Sequence, residues 1–424
     1  MRRRNIGFVS FRFAGTDGVS LETSKWATVL ERMGHRCYYC GGELETPAEC
    51  SILLPKAHFK HPEVQEIAGT LFETDIRKPS VTKRIHELRE ELKKGLHEFI
   101  ERFSLDVLIA ENTLSIPLNI PLGLAITEVI AETRIATIAH HHDFTWERKR
   151  FMVSSVSDYL RNAFPPRLHS VVHVVINSTA RNQLALRSGA NAYLIPNVMD
   201  FDNPPAGIDG YNGDVREALG LAADDTFVLQ PTRVVQRKGI EHAIELVKHL
   251  GQDGKMILVI SHASGDEGFE YQERVRNYAK LLGIRSLFVD ELIDHRRGTT
   301  ADGRKIYSLD DVYPHADLVT YPSLFEGFGN AFLEAVYHRK PIFVNNYSIY
   351  ASDIRPKGFR TILMDEYISD RVLGEAKRFL GDSDYRQWAV DHNYTVARKH
   401  YSYRVLESSL SHILMSFFGL DDPD

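Results

Sequence analysis

The residues with the clearest chemical potential stand in Glu326-Gly-Phe-Gly-Asn-Ala-Phe-Leu-Glu334, directly after the strand-like run ADLVTYPS. Glycines at 327 and 329 let the backbone turn sharply and approach a ligand closely. Residues 330–338 carry helical spacing, and the exposed amides of a helix start favour phosphate. Gly327, Phe328, Gly329 and Asn330 therefore form the turn on which an anionic ligand would lie. Glu326 falls in the loop and Glu334 two turns into the helix. A carboxylate accepts paired hydroxyl hydrogen bonds, so the two suit two polyols, a sugar ring and a ribose. Taken alone, the pattern equally fits a Gly-rich turn with solvated glutamates.

A second segment narrows the choice. Pro231-Thr-Arg233-Val-Val-Gln-Arg-Lys238-Gly239 lies between a strand and another helix start in the same half of the chain. An anionic diphosphate would be held there, with Arg233 forking onto phosphate and Lys238 supplying a point charge. Solvated charges at a helix start are the alternative.

The two segments, in this order, resemble those of retaining glycosyltransferases of the GT-B fold, in their large fourth sequence family. Pro196-Asn-Val-Met-Asp200 is similar to that family's Pro-Asn-Gly-Val-Asp segment, with Val198 where glycine is usual, and Ser308–Asp317 is similar to the stretch before its glutamate motif. The resemblance covers residues 6–375. It implies that Arg233 and Lys238 bind the donor diphosphate, Glu326 the transferred hexose and Glu334 the ribose. Ser261-His262 stands where the family carries a glycine after the second strand of this half.

Ala14-Gly15-Thr16-Asp17-Gly18-Val19 follows the first strand and precedes a helix opened by Ser20 or Glu22. It resembles the family's glycine loop, which implies that Asp17 and Gly18 approach the donor phosphate. An ordinary strand-to-helix connection has the same composition. His140-His141-His142-Asp143 ends another strand, where members of the family usually carry a histidine, often followed by Asp. His140 and His142 share a face of an extended chain. Three roles compete: a sugar contact, a metal site, or packing. No further Cys, His or carboxylate lies at close ligand spacing in the sequence, which argues against metal. His142 matches the His-Asp pair and is the first choice, with His140 second. Trp146 follows on a helical stretch as a possible acceptor contact.

These residues need a scaffold of strand ends. Apolar runs of strand length alternate with helical patterns: 6–11, helix 21–34, 36–40, helix 83–103, 106–110, 135–139, 171–176 and 192–196. That alternation marks a parallel sheet. The stretch from Pro196 to Gly213, rich in Pro, Gly, Asp and Asn, breaks the rhythm. It restarts with 226–232, helix 239–250, 256–261, 286–290, 316–322, 341–346 and 361–364. The expected fold is α/β, with two Rossmann-like domains facing across a cleft: 1–199 on the acceptor side and 200–400 binding the nucleotide sugar. A final helix, 401–418, has apolar residues at Val405, Leu406, Leu410, Ile413, Leu414 and Phe417, and the resemblance implies that it crosses back to the first domain. Ligands of such sheets bind beyond the carboxyl ends of the strands.

Composition excludes several classes. A chain of 424 residues suits two domains, and 43% apolar with 25% charged residues is average for globular proteins. A net charge of −6 argues against a general nucleic-acid binder. No apolar run reaches about 18 residues, so no membrane span is expected. Three cysteines are too few for a disulfide framework and fit a cytoplasmic location. Cys37-Tyr-Tyr-Cys40 reads as a buried strand with its thiols on opposite faces rather than as a redox pair.

The expected activity is metal-independent transfer of a hexose from a UDP- or GDP-linked sugar to a hydroxyl of a small acceptor, with retention. The nucleotide sugar is a substrate, and no cofactor is expected. A nucleotide-sugar epimerase, a phosphorolytic enzyme, or a silent sugar-nucleotide-binding subunit are the alternatives on the same fold.

Overall fold

A computed structural model describes residues 2–15, 17–251, 254–264 and 269–419; Thr16 of the first glycine loop lies outside these. The chain forms two compact units. Unit 1 runs to Asn197 and resumes at Tyr403, and unit 2 is Val198–Ser402.

The sheet of unit 1 contains β1 (Asn5–Val9), β2 (Arg36–Gly41), β3 (Ser51–Leu53), β4 (Val107–Glu111), β5 (Ala136–His141), β6 (Val171–Val175) and β7 (Ala192–Leu194). Their order is β3-β2-β1-β4-β5-β6-β7 and every pairing is parallel. The short strand β3 has no counterpart among the expected strands. Near-continuous burial along β4 and β5 explains why their sequences are apolar runs rather than alternations. Cys37 and Cys40 are both buried in β2, and burial pushes both thiols far above their ordinary range, as fits inert core residues.

Helix Pro79–Phe103 covers this sheet with Ile85, Leu88, Leu92, Leu96 and Phe99, at helical spacing. Each such side chain contributes roughly 1.5–3 kcal/mol on burial. Helix Tyr403–Phe418 returns the chain to unit 1 after a break at Ser402, packing against helix Gly18–Arg32. Leu406, Leu410, Ile413 and Leu414 are its buried stripe. Arg32 stacks over Tyr403, and Arg4 over Phe418.

Unit 2 has β8 (Thr226–Gln230), β9 (Met256–Ile260), β10 (Ser286–Phe288), β13 (Leu318–Tyr321), β14 (Ile342–Asn345) and β15 (Ile362–Met364) in the order β10-β9-β8-β13-β14-β15, again all parallel. A small antiparallel hairpin, β11 (Gly298–Thr299) with β12 (Lys305–Ile306), stands apart from it. Val198, at the start of this unit, is fully buried with an ordinary negative φ, so the position needs no glycine.

In both sheets the strand order reverses beside the first strand of the unit, between β1 and β4 and between β8 and β13. The crevice at such a reversal is where ligands of open α/β sheets bind. The loops after β8 and β13 carry Arg233, Lys238 and Glu326; those after β1, β4 and β5 carry Asp17, Asn112 and His142. No helix among the described residues is long and apolar enough to cross a membrane.

The returning helix is expected to be an integral part of unit 1. Leu410→Ala, at a fully buried position, should cost about 2–5 kcal/mol, read as a lowered midpoint of the unit 1 transition in chemical denaturation.

Candidate active site

Glu326 is the hub of unit 2. Its side chain is only 10% exposed, and it accepts from Lys238 Nζ at 2.5 Å and from Arg237 Nη1 at 2.8 Å. Burial alone would raise the Glu326 carboxyl; the Lys238 and Arg237 charges outweigh that and hold it below its ordinary value. Burial also lowers the Lys238 ammonium, against the pull of Glu326. Lys238 lies over the face of Tyr321, 5.1 Å from the ring centroid, a cation–π contact.

Local backbone features place the pair. Gln230, at the end of β8, donates to Thr232 Oγ1 and accepts from Thr320 Oγ1 of β13, tying the two strand ends together. A short turn, Gln236–Lys238, then meets Gly239, whose φ of +58° is left-handed and whose absent Cβ would stand 2.5 Å from the Pro322 carbonyl. The Leu324 amide donates to the Arg237 carbonyl at 2.8 Å, fastening the loop after β13 to this turn. Arg233 is exposed, and among the described residues its guanidinium has no hydrogen-bond or ion-pair partner.

Gly329 precedes helix Asn330–Tyr337 with φ +124°, and a Cβ there would meet Tyr347 Oη at 2.3 Å. The Tyr347 hydroxyl donates to the Phe328 carbonyl at 2.7 Å. The Phe328 ring is buried edge-on against Tyr401. Gly327 is exposed, and Asn330 begins the helix half-buried. Just over one turn in, Glu334 accepts from Tyr313 Oη at 3.0 Å, and Tyr313 is in turn stacked on His338.

Two further residues of unit 2, given no role from the sequence, join the site. Arg237 stands one residue before Lys238, and that place is its only signal in the sequence. His262, beyond β9, is within 2.6 Å of Ser261 Oγ through Nδ1. Burial, with the charges of Arg233 and Lys238, lowers it to about 4. It is a neutral imidazole beside a positive cluster.

In unit 1, Asp17 is the N-cap of helix Gly18–Arg32. Its carboxylate accepts from the Val19 and Ser20 amides, from Ser20 Oγ at 2.7 Å and from Arg12 Nε at 3.1 Å. The helix thus opens at Gly18 and not at Ser20 or Glu22, because the Asp side chain satisfies its first amides. Trp146 lies on a single 3-10 turn, stacked on Phe144 with Arg187 over its ring, which ties it to the packing of helix Ser178–Ser188.

The histidines divide by depth. His140 is fully buried and stacks on Trp26, with centroids 4.2 Å apart; His142 keeps 10% of its side chain exposed. His141 points to the other face and pairs with His173 at 2.9 Å. No ligating carboxylate lies at close spacing to them in the sequence, yet one stands beside them in space, which removes the ground taken there against a metal. The register of β4 on β5 sets Glu111 opposite His140, and the donor atoms of Glu111, His140 and His142 lie within 4.8 Å of one another. Separation along the chain concealed this neighbour.

Two parallel α/β sheets in one chain, each with its polar residues gathered where the strand order reverses, define the GT-B class of glycosyltransferases. The comparisons agree. No family-level sequence profile matches the chain. It is 31% identical to the mannosylglucosylglycerate synthase of Thermotoga maritima, across 96% of this chain and 98% of that one, and 34% identical to the mannosylglucosylglycerate synthase of Petrotoga mobilis, across 84% and 86%. Among solved structures it is similar to a glycosyltransferase from Rickettsia africae (TM-score 0.69, 13% identity, all of both chains). It also resembles Anabaena HepE in complex with UDP-glucose (TM-score 0.65, 13% identity, 98% of this chain and 100% of that one). At such identities these two establish the fold. The chain belongs to the family of GT-B glycosyltransferases that includes mannosylglucosylglycerate synthase.

The loop geometry yields a test. Gly329→Ala places a side chain at φ +124° against Tyr347 and is expected to cost about 1–3 kcal/mol in thermal denaturation. Adding Tyr347→Phe removes the clash with the hydroxyl but leaves the backbone strain, so only part of the loss should return.

Proposed function

We propose that the protein transfers a hexosyl group from a UDP- or GDP-linked sugar to a hydroxyl of a small acceptor, with retention of configuration and without a metal. The synthase names of its relatives narrow the reading to a mannosyl donor and a glucosylglycerate acceptor. The observation that carries it is the cluster beyond β8 and β13, where Arg237 and Lys238 hold the carboxylate of Glu326 and the charge of Arg233 acts on Lys238. Among the described residues in these two loops, the cations Arg233, Arg237 and Lys238 outnumber the carboxylate of Glu326, a surplus that complements a diphosphate. The depressed His262 registers the same positive field. Similarity to the synthases over nearly the whole chain favours transfer over the epimerase, phosphorylase and silent-subunit readings.

Each residue then has a part. Arg233 and Lys238 hold the diphosphate, and the Gly327–Asn330 turn adds amides at the start of a helix. Glu334 takes the ribose hydroxyls. Glu326, kept ionised by its two cations, accepts from hydroxyls of the transferred hexose. In unit 1, Gly18 stands at the start of its own helix as a second place for donor phosphate, with Asp17 shaping that turn, while His142 touches the sugar or acceptor.

Cleavage of the bond from sugar to phosphate leaves new negative charge on the departing oxygen. Cations already in place stabilise that charge without reorganising, which lowers the barrier. Positive charge that grows on the sugar is met by donor oxygens and by Glu326. No pair of carboxylates working as acid and nucleophile is required, in contrast with hydrolases.

Incubating the purified protein with UDP- and GDP-linked mannose and glucose, with and without glucosylglycerate, tests the reading by NMR of the products. A new α-linked mannoside that forms only with acceptor is expected. Epimerised donor, or cleavage that requires phosphate, would replace the proposal with one of the other readings. Activity should persist after exhaustive chelation; its loss would assign a cation to the site.

Two sets of variants follow. Lys238→Ala should lower kcat by about 10²–10³-fold, more than it raises KM for donor, since only interactions that strengthen in the transition state raise turnover. Arg233→Lys should also be damaging, because a point charge cannot replace a forked contact. A rise in KM alone for both would mean that they merely anchor the donor. Glu334→Ala should weaken binding of the free nucleoside diphosphate by roughly 1.5–3 kcal/mol in calorimetry.

A further inference from the structure

The carboxylate beneath the histidines of unit 1 does not belong to the donor cluster and has no part in the mechanism above. Glu111 ends β4 and faces His140 across the parallel ladder. Its Oε2 meets His140 Nδ1 at 2.9 Å and His142 Nε2 at 3.3 Å. Trp26, from helix Gly18–Arg32, lies flat on His140 and closes the cluster from that side, so that Glu111 and His140 have no exposed surface. His142 alone of the three reaches solvent.

The backbone of His142 is fixed as firmly as its ring. Asn112 sits in the left-handed region at φ +59°, which asparagine tolerates better than most residues. From there its side-chain oxygen accepts from the His142 amide at 3.0 Å, while its nitrogen donates to Asp143 at 2.8 Å. With Nε2 turned inward to Glu111, Nδ1 is the nitrogen left to face outward. Among the described residues it makes no hydrogen bond.

We propose that Glu111 is a positioning residue for His142: its sealed carboxylate fixes Nε2–H inward and holds the ring as an imidazolium, so that Nδ1–H is the donor presented to substrate. The inference rests on the reading that His142 contacts the sugar or acceptor. A neutral ring tied in the same way would present Nδ1 as an acceptor, so the carboxylate decides the sign of the contact.

The charges around the ring agree. Burial would raise the Glu111 carboxyl, and the imidazoles reverse this, holding it down to about 2. Burial lowers His140, against the pull of Glu111. Burial also acts to lower His142, but the hydrogen bond and charge of Glu111 outweigh it and raise the group above its ordinary 6.5. The other charged groups facing His142 are Glu22 of helix Gly18–Arg32, paired with Lys25, and Asp143, paired with Arg148. Both carboxylates act in the same direction as Glu111. The two shifts run in opposite directions, so a proton is held better on His142 than on His140, and a contact that depends on it is lost as pH rises through the raised value.

Nitrogen-15 NMR of the histidine rings in the full-length protein, with His142→Asn for assignment, tests this together with the pH profile of kcat. In the wild type, His142 should show two protonated ring nitrogens at neutral pH and titrate above 6.5. Glu111→Gln should lower that titration by about one unit or more and move the basic limb of kcat down with it, with nucleotide affinity unchanged. Glu111→Asp, which keeps the charge, should restore most of the titration. A neutral His142 at pH 7 in the wild type would overturn the proposal, and needs no variant to fold. Ring titration that shifts while the kcat limb stays put would support the carboxylate–imidazole couple and overturn the substrate contact of His142.

Discussion

The arrangement in unit 2 depends on one buried charge. Glu326 is withdrawn from water in a loop that no regular element holds, and an ionised carboxylate there is tolerable only with partners at hydrogen-bond distance. Removing one partner of such a pair typically costs about 3–5 kcal/mol, because the other charge is left uncompensated. The Lys238–Glu326–Arg237 contacts therefore lock the turn after β8 to the loop after β13. Gly239 and Gly329 are the backbone concessions that let these two loops come together, one against the Pro322 carbonyl and the other against the Tyr347 hydroxyl.

The same logic recurs in unit 1 with weaker cations. Glu111 is buried more deeply than Glu326, but its partners are imidazoles, whose charge depends on pH. Where a lysine and an arginine make a standing electrostatic site, two histidines make one whose charge varies with pH. Both clusters lie at the carboxyl ends of parallel strands, where polar side chains find room beside an otherwise apolar sheet.

Much of this was legible in the sequence. The main strands of both sheets, apart from β3, announce themselves as apolar runs between helical patterns, because parallel strands covered on both faces carry no alternation to confuse them. Glu326, Glu334, Arg233 and Lys238 were visible because glycines and helix starts bracket them locally. What stayed hidden were pairings across the sheet. Glu111 reads as the polar end of a strand until the register of β4 on β5 sets it against His140. Arg237 looks like one more charge in a basic run until Glu326 folds back on it. The N-cap role of Asp17 and the burial of the Phe328 ring were equally invisible, since composition does not show which way a side chain turns.

The central claim is that the cationic cluster of unit 2 receives the donor diphosphate. The most direct measurement is a crystal structure of the protein with bound UDP or GDP. The account predicts phosphate oxygens within hydrogen-bond distance of Arg233 and Lys238 at the start of helix Asn330–Tyr337, with the ribose hydroxyls on Glu334. A nucleotide seated on the loops of unit 1, with Lys238 still bound to Glu326 and Arg233 still free, would contradict it.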